Sequence, residues 1–225
     1  MVEDPPSILE APIPEPIVTE VKDSIAVVRF NRPAQRNPLS RDTLQELKSI
    51  SSALMANEDI KAIVFTGTAD VFASGADIRE LAQLDPATAL EFSKLGQDLF
   101  QTIANARQIT IAAINGYCMG GALDLALTCD LRVASEAAVF AHPGARLGII
   151  TGWGGTQRLP RIIGRAWSLE FFATARRLTS REALEIGLIS HISDRVLESA
   201  LATTRQISQN KKGAGPSFYA ERYES

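Results

Sequence analysis

Two apolar periods alternate along this chain. Residues 17–21 and 24–30 are rich in valine and isoleucine and read as strands, with Lys22-Asp23 as the turn between them. Residues 31–40 break the pattern and are predicted as a loop. Ser40 can then cap a helix running to about residue 57. Its hydroxyl can accept from an unpaired first-turn N–H, and Leu44, Leu47, Ile50 and Leu54 share one face. Residues 61–66 carry an unbroken apolar run, as in a buried strand. The polar stretch 67–75 after it is predicted as a loop. Residues 87–107 return to the helical period through Leu95, Leu99 and Ile103. A strand at 109–114, a helix from 120 to about 128 and a strand at 131–134 follow. Past Pro160 the period is helical over 164–177 and again over 181–187, where Thr179 and Glu182 are spaced as a capping box. Strands alternating with helices predict an α/β fold with crossover connections. Pro5, Pro6, Pro12, Pro14 and Pro16 predict a disordered arm over 1–16. The tail at 208–225 mixes glycine, proline and charge and suggests no element.

Composition narrows the function classes. A chain of 225 residues fits one domain. A net charge of -3 leaves no basic footprint for nucleic acid. No apolar run approaches the ~20 residues of a membrane span. The start, M-V-E-D-P-P-S-I-L-E, lacks the cationic and apolar regions of a secretory signal, so a cytoplasmic setting is expected. Two cysteines, Cys118 and Cys129, make no disulfide framework, and His142 and His191 lack zinc-ligand spacing, so no metal is expected. Cys118 as a nucleophile has no evident base beside it.

The candidate chemistry lies in residues 109–124, I-T-I-A-A-I-N-G-Y-C-M-G-G-A-L-D. A strand runs into a glycine pair and then a helix. The first N–H groups of a helix lack internal partners and carry the positive end of its dipole, so they bind anions. Asp124 follows Gly121 by one i, i+3 step and shares its face. Residues 71–80, V-F-A-S-G-A-D-I-R-E, repeat the arrangement, with Gly75 at the turn and the Ala76 N–H at its apex. Two such N–H groups flanking one carbonyl oxygen would form an oxyanion hole. The pattern Gly116-x-x-x-Gly120-Gly121 is not the Gly-x-Gly-x-x-Gly of dinucleotide-binding folds.

Four motifs occur in order: Asn31-Arg32-Pro33 through Asn37-Pro38-Leu39; Phe72-Ala73-Ser74-Gly75-Ala76-Asp77-Ile78; Ala113-Ile114-Asn115-Gly116 through Gly120-Gly121; and Gly154-Gly155-Thr156-Gln157-Arg158-Leu159-Pro160. With T-S-R-E-A-L-E-I-G-L at 179–188, the chain resembles the crotonase (enoyl-CoA hydratase/isomerase) superfamily over roughly 17–192. The resemblance implies an α/β fold built as a spiral of ββα units. A shortened C-terminal helical segment and tail would occupy 193–225. It implies an enzyme acting on acyl-CoA thioesters, with coenzyme A as part of the substrate and no separate cofactor, assembled as a homotrimer or dimer of trimers. Ala76 and Gly121 then match the backbone donors that stabilise a thioester enolate. Ala76, Asp77 and Ile78 match the adenine-binding segment, and Arg36 falls where a cation meets the CoA phosphates.

Two departures bear on the reaction. Hydratases of this family use two glutamates that hold one water. Asp124 stands in the first place, shorter by one methylene. Gly144 stands in the second, within A-H-P-G-A-R-L-G at 141–148. Enolate stabilisation is therefore expected to survive, and water addition to be weak. Restoring the carboxylate by Gly144→Glu is expected to raise hydration. His142 could serve as acid or base, and Arg146 could hold an anion in the vacated space. Thr151, Trp153 and Tyr117 fall in pocket-forming segments. The alternatives are an acyl-CoA isomerase, decarboxylase or C–C lyase of the same fold, or a non-catalytic acyl-CoA-binding protein.

Overall fold

A computed structural model describes residues 14–210. The arm predicted over 1–16 lies outside these residues as far as residue 13, as does the tail beyond residue 210. Along the chain come β1 (Ile17–Lys22), β2 (Ile25–Phe30), β3 (Pro38–Leu39), α1 (Arg41–Ala56), β4 (Ala62–Thr66), β5 (Val71–Ala73), β6 (Gly75–Ala76) and α2 (Ile78–Leu81). Next are α3 (Pro86–Ala104), β7 (Ile109–Ile114), β8 (Tyr117–Met119), α4 (Gly121–Ala126), β9 (Leu131–Ala134) and β10 (Val139–Ala141). Last are α5 (Gly155–Ile163), α6 (Arg165–Thr174), β11 (Arg177–Thr179), α7 (Ser180–Glu185), β12 (His191–Ile192) and α8 (Val196–Asn210).

A repeating unit organises these elements. A strand enters a six-stranded sheet of order β1-β2-β4-β7-β9-β12, and a shorter strand enters a second sheet of order β11-β10-β8-β5. A helix then returns the chain for the next turn. β4 leads to β5, β7 to β8 and β9 to β10, which is the expected spiral of ββα units. Beyond the β1–β2 hairpin, the pairings in the larger sheet are parallel.

The sheet's two faces explain the unbroken apolar runs. In β7, Ala112 and Ile114 enter the main core, while Ile111 and Ala113 enter a smaller cluster on the opposite face. β4 divides likewise, Ile63 and Phe65 against Ala62 and Val64. A strand covered on both sides loses its polar alternation. α8 supplies the outer cover through Val196 and Ala200, an i, i+4 pair.

Two asparagines fix the loops near the second sheet. Asn37 is buried and its Nδ2 donates to the carbonyls of Val71 (3.2 Å) and Phe72 (3.1 Å). The Asn115 side chain accepts from the Gly67 N–H at 2.9 Å and donates to the Ala69 carbonyl at 2.9 Å.

The structure differs from expectation at short elements. The segment 67–75 is not loop throughout: β5 lies within it, with Val71, Phe72 and Ala73 buried. α5 begins at Gly155 and contains Pro160, so the helical stretch starts before that proline rather than after it. α6 stops at Thr174 because Ala175 turns left-handed (φ 49°) and Arg177–Thr179 pairs with β10.

Candidate active site

The chain's second and third ββα turns meet at two glycines. Gly75 has a left-handed φ of 88°, and a Cβ on it would lie 2.6 Å from the Met119 carbonyl oxygen and 2.9 Å from the Gly121 nitrogen. No L side chain fits that turn, and its closeness brings Ala76 beside the start of α4. Gly120 caps α4 with φ 53° and donates its N–H to the Ala141 carbonyl at 2.9 Å. Gly121 is the first helical residue, whose N–H has no acceptor within the helix. A cavity of about 240 Å³ opens here, and Ala76, Ile78, Gly121, Asp124 and His142 all line it.

Asp124 projects from the first turn of α4 and is 1% exposed. The Thr151 hydroxyl donates to its Oδ2. His142 Nε2 lies 3.3 Å from its Oδ1. With Asp124 as a carboxylate, which only accepts, Nε2 carries the hydrogen of this pair. Gly155 completes the niche, because a Cβ there would overlap Asp124 Oδ1. His142 follows β10, is 6% exposed and packs edge-on against Phe172 with ring centres 5.2 Å apart. Among the described residues lining the cavity, Asp124 and His142 are the ionisable ones.

Gly144 also lines the cavity and is buried. The chain folds back over it: the Ile149 N–H donates to the Gly144 carbonyl at 3.0 Å. A Cβ at Gly144 would stand 2.6 Å from the Ile149 carbonyl oxygen. The place expected to be vacated is thus walled by backbone, and a glutamate cannot enter it without moving residues 149–150. The expected anion site at Arg146 is not formed, because Arg146 is exposed and lies outside the cavity lining.

Arg36 and Asp77 also lie outside the lining. Arg36 is exposed, with its guanidinium 5.2 Å from the Tyr117 ring centre. Asp77 caps α2 by accepting the Arg79 N–H at 2.9 Å. The Arg79 side chain bonds the same carboxylate and holds its pKa below the usual value. The sequence did not single out Leu81, Leu84, Phe92, Ile149 or Ile150, which form apolar cavity wall. Cys118 is fully buried, and burial pushes its thiol pKa well up, so the thiolate a nucleophile needs is disfavoured. Among the described residues no group of three or more His, Cys, Asp or Glu side chains could hold a metal ion, and no helix is long and apolar enough to cross a membrane.

Known proteins share this arrangement of elements. Residues 20–218 match the family model described as enoyl-CoA hydratase/isomerase. The putative enoyl-CoA hydratase/isomerase YngF of Bacillus subtilis is 43% identical over 178 residues, covering 79% of this chain and 68% of that protein. Crotonyl-CoA hydratase of Syntrophomonas wolfei is 38% identical, over 79% of this chain and 69% of its own. Among solved structures, DspI of Pseudomonas aeruginosa superposes with a TM-score of 0.84 at 30% identity, covering 95% of this chain and 86% of that one. An enoyl-CoA hydratase from Bacillus anthracis gives 0.84 at 31% identity, over 90% and 78%. With a family model spanning most of its length and relatives this similar, the chain belongs to the enoyl-CoA hydratase/isomerase family.

Proposed function

We propose that this protein acts on acyl-CoA thioesters through an enolate, and that it moves a double bond faster than it adds water. The Ala76 and Gly121 N–H groups receive the thioester oxygen as charge develops on it, in a site where preorganised donors act strongly. Asp124, tied to His142 and Thr151, is the proton-transfer centre. On a 3-enoyl thioester it takes the proton from C2, and the electron pair passes to the oxygen. The same centre returns the proton to C4, leaving the double bond between C2 and C3.

The observation that carries this reading is the pairing of one carboxylate with one imidazole, 3.3 Å apart, as the ionisable lining of the cavity. Moving a proton between two carbons needs one base. Adding water needs a second group placed to hold and activate the water; here His142 is engaged by Asp124, and at Gly144 the Ile149 carbonyl stands against the backbone instead. A relative named crotonyl-CoA hydratase supports the thioester as substrate class.

The test is steady-state kinetics of the purified protein on 3-hexenoyl-CoA and on crotonyl-CoA. The expected result is a higher kcat/KM for isomerisation than for hydration. Faster hydration would overturn the order of the two reactions. Absence of turnover with both thioesters would overturn the enolate mechanism.

A further inference from the structure

Trp153 is both buried and part of the cavity lining. Its indole is wedged between α3 and α4, so that a Cβ on either Gly96 or Gly121 would collide with the ring. The five-membered ring faces Gly96 and the six-membered ring faces Gly121. Phe92 and Phe100 meet it edge-on, with ring centres 5.2 Å and 5.6 Å away. Its Nε1 donates to the Phe92 carbonyl at 3.3 Å. With these contacts the residue is only 4% exposed, and the ring is packed in one orientation.

The segment that carries it is pinned as well. Ser93 Oγ and Gln97 Nε2 donate to the Gly152 carbonyl at 3.0 Å and 2.7 Å, and Arg158 donates to the Trp153 carbonyl at 3.1 Å. Thr151, Gly152 and Trp153 line the 240 Å³ cavity on one side. On the other they line an open groove whose further walls include Gln97, Gln101, Thr156 and Arg158. These three residues therefore border both spaces.

We infer that Trp153 is the floor of the acyl cavity and restricts this enzyme to short acyl chains. The inference rests on the proposed use of this cavity for acyl-CoA. The six-membered ring of Trp153 lies against Gly121, whose N–H is the proposed donor to the thioester oxygen, so the ring stands beside the place where the acyl chain begins. Longer chains meet the packed ring. Shrinking the ring would open space bounded by Phe92, Phe100, Gly96 and Gly121, which is apolar and suits more methylenes.

The test compares kcat/KM for 3-hexenoyl- and 3-decenoyl-CoA in the parent, Trp153→Phe and Trp153→Leu, with melting curves to confirm folding. Excluding one methylene is worth roughly tenfold or more in a hydrophobic pocket. The parent is expected to favour hexenoyl-CoA by at least about tenfold, and the variants to raise the decenoyl-to-hexenoyl ratio by at least about tenfold. An unchanged ratio in a folded variant overturns the inference. So does a parent that handles decenoyl-CoA equally well, its chain leaving over the apolar mouth at Ile149 and Ile150. Calorimetry of butyryl-, hexanoyl- and decanoyl-CoA on the parent needs no turnover. It separates the floor, read as weaker binding of decanoyl-CoA, from the reaction, and equal binding across the series counts against the floor even where neither variant folds.

Discussion

Asp124 receives a hydrogen bond on each oxygen, from Thr151 and from His142, while Gly155 presses on the carboxylate from the side. A carboxylate so held presents one orientation to a bound thioester. Asp124→Asn is expected to lower kcat by about 10²–10⁴-fold, with the Kd for a saturated acyl-CoA nearly unchanged by calorimetry. Thr151→Val removes one donor to a charged group, worth about 1.5–3 kcal/mol. It should lower kcat more than it raises KM. Gly144→Glu has the opposite sense from the sequence expectation. Its Cβ would meet the Ile149 carbonyl at 2.6 Å, so overpacking should cost about 1–3 kcal/mol. The melting temperature should fall, and crotonyl-CoA hydration should not exceed that of the parent.

At the scale of elements, α7 shows how a local signal specifies structure. The Thr179 hydroxyl accepts the Glu182 N–H at 3.3 Å, and Glu182 Oε2 accepts the Thr179 N–H at 2.7 Å. Thr179→Ala is expected to cost about 1 kcal/mol in denaturant unfolding. The Thr179 bond, aided by Arg176, also holds the Glu182 pKa below its usual value. A lowered acid pKa gives stability that is present above the unfolded value and is lost as pH falls through the folded one. The first-listed donor is the backbone N–H of residue 179, which alanine keeps, so the variant should retain most of the parent's loss of stability on acidification below about pH 4. This box was legible because its residues sit three apart in sequence. So were β4, β7, α1 and α3, whose apolar runs are long enough to show a period. β5, β8 and β10 were not, since three residues show too little alternation to be told from a turn. α5 was obscured by Pro160, which removes a donor and normally breaks a helix interior. Motif order pointed to Ala76, Gly121 and Asp124, which line one cavity. The collision of Gly144 with Ile149 depends on how the chain folds back over six residues, and no residue pattern marks that.

At the scale of the molecule, the two thiols report on the whole core. Cys118 and Cys129 both belong to the main hydrophobic cluster. Burial raises the Cys129 pKa to about 12 and the Cys118 pKa well above the ordinary thiol value. Both should resist a disulfide-exchange reagent at pH 8 in the folded protein and react fully in denaturant. Fast labelling of either thiol without denaturant would mean that the core opens locally. The connection between β10 and α5 has a different kind of consequence. Ala76 belongs to β6 and Gly121 and Asp124 to α4, whereas His142, Gly144, Ile149, Thr151 and Trp153, which line the same cavity, all lie on this one crossover. It is moored at its start by the Gly120–Ala141 hydrogen bond and at its end by Arg158. Under the proposed mechanism the thioester oxygen and the proton-transfer carboxylate are both served from β6 and α4, and the crossover supplies the partners of Asp124 and one wall of the cavity. A graft of residues 142–153 from a relative would therefore change those partners and that wall while leaving Ala76, Gly121 and Asp124 on their own elements.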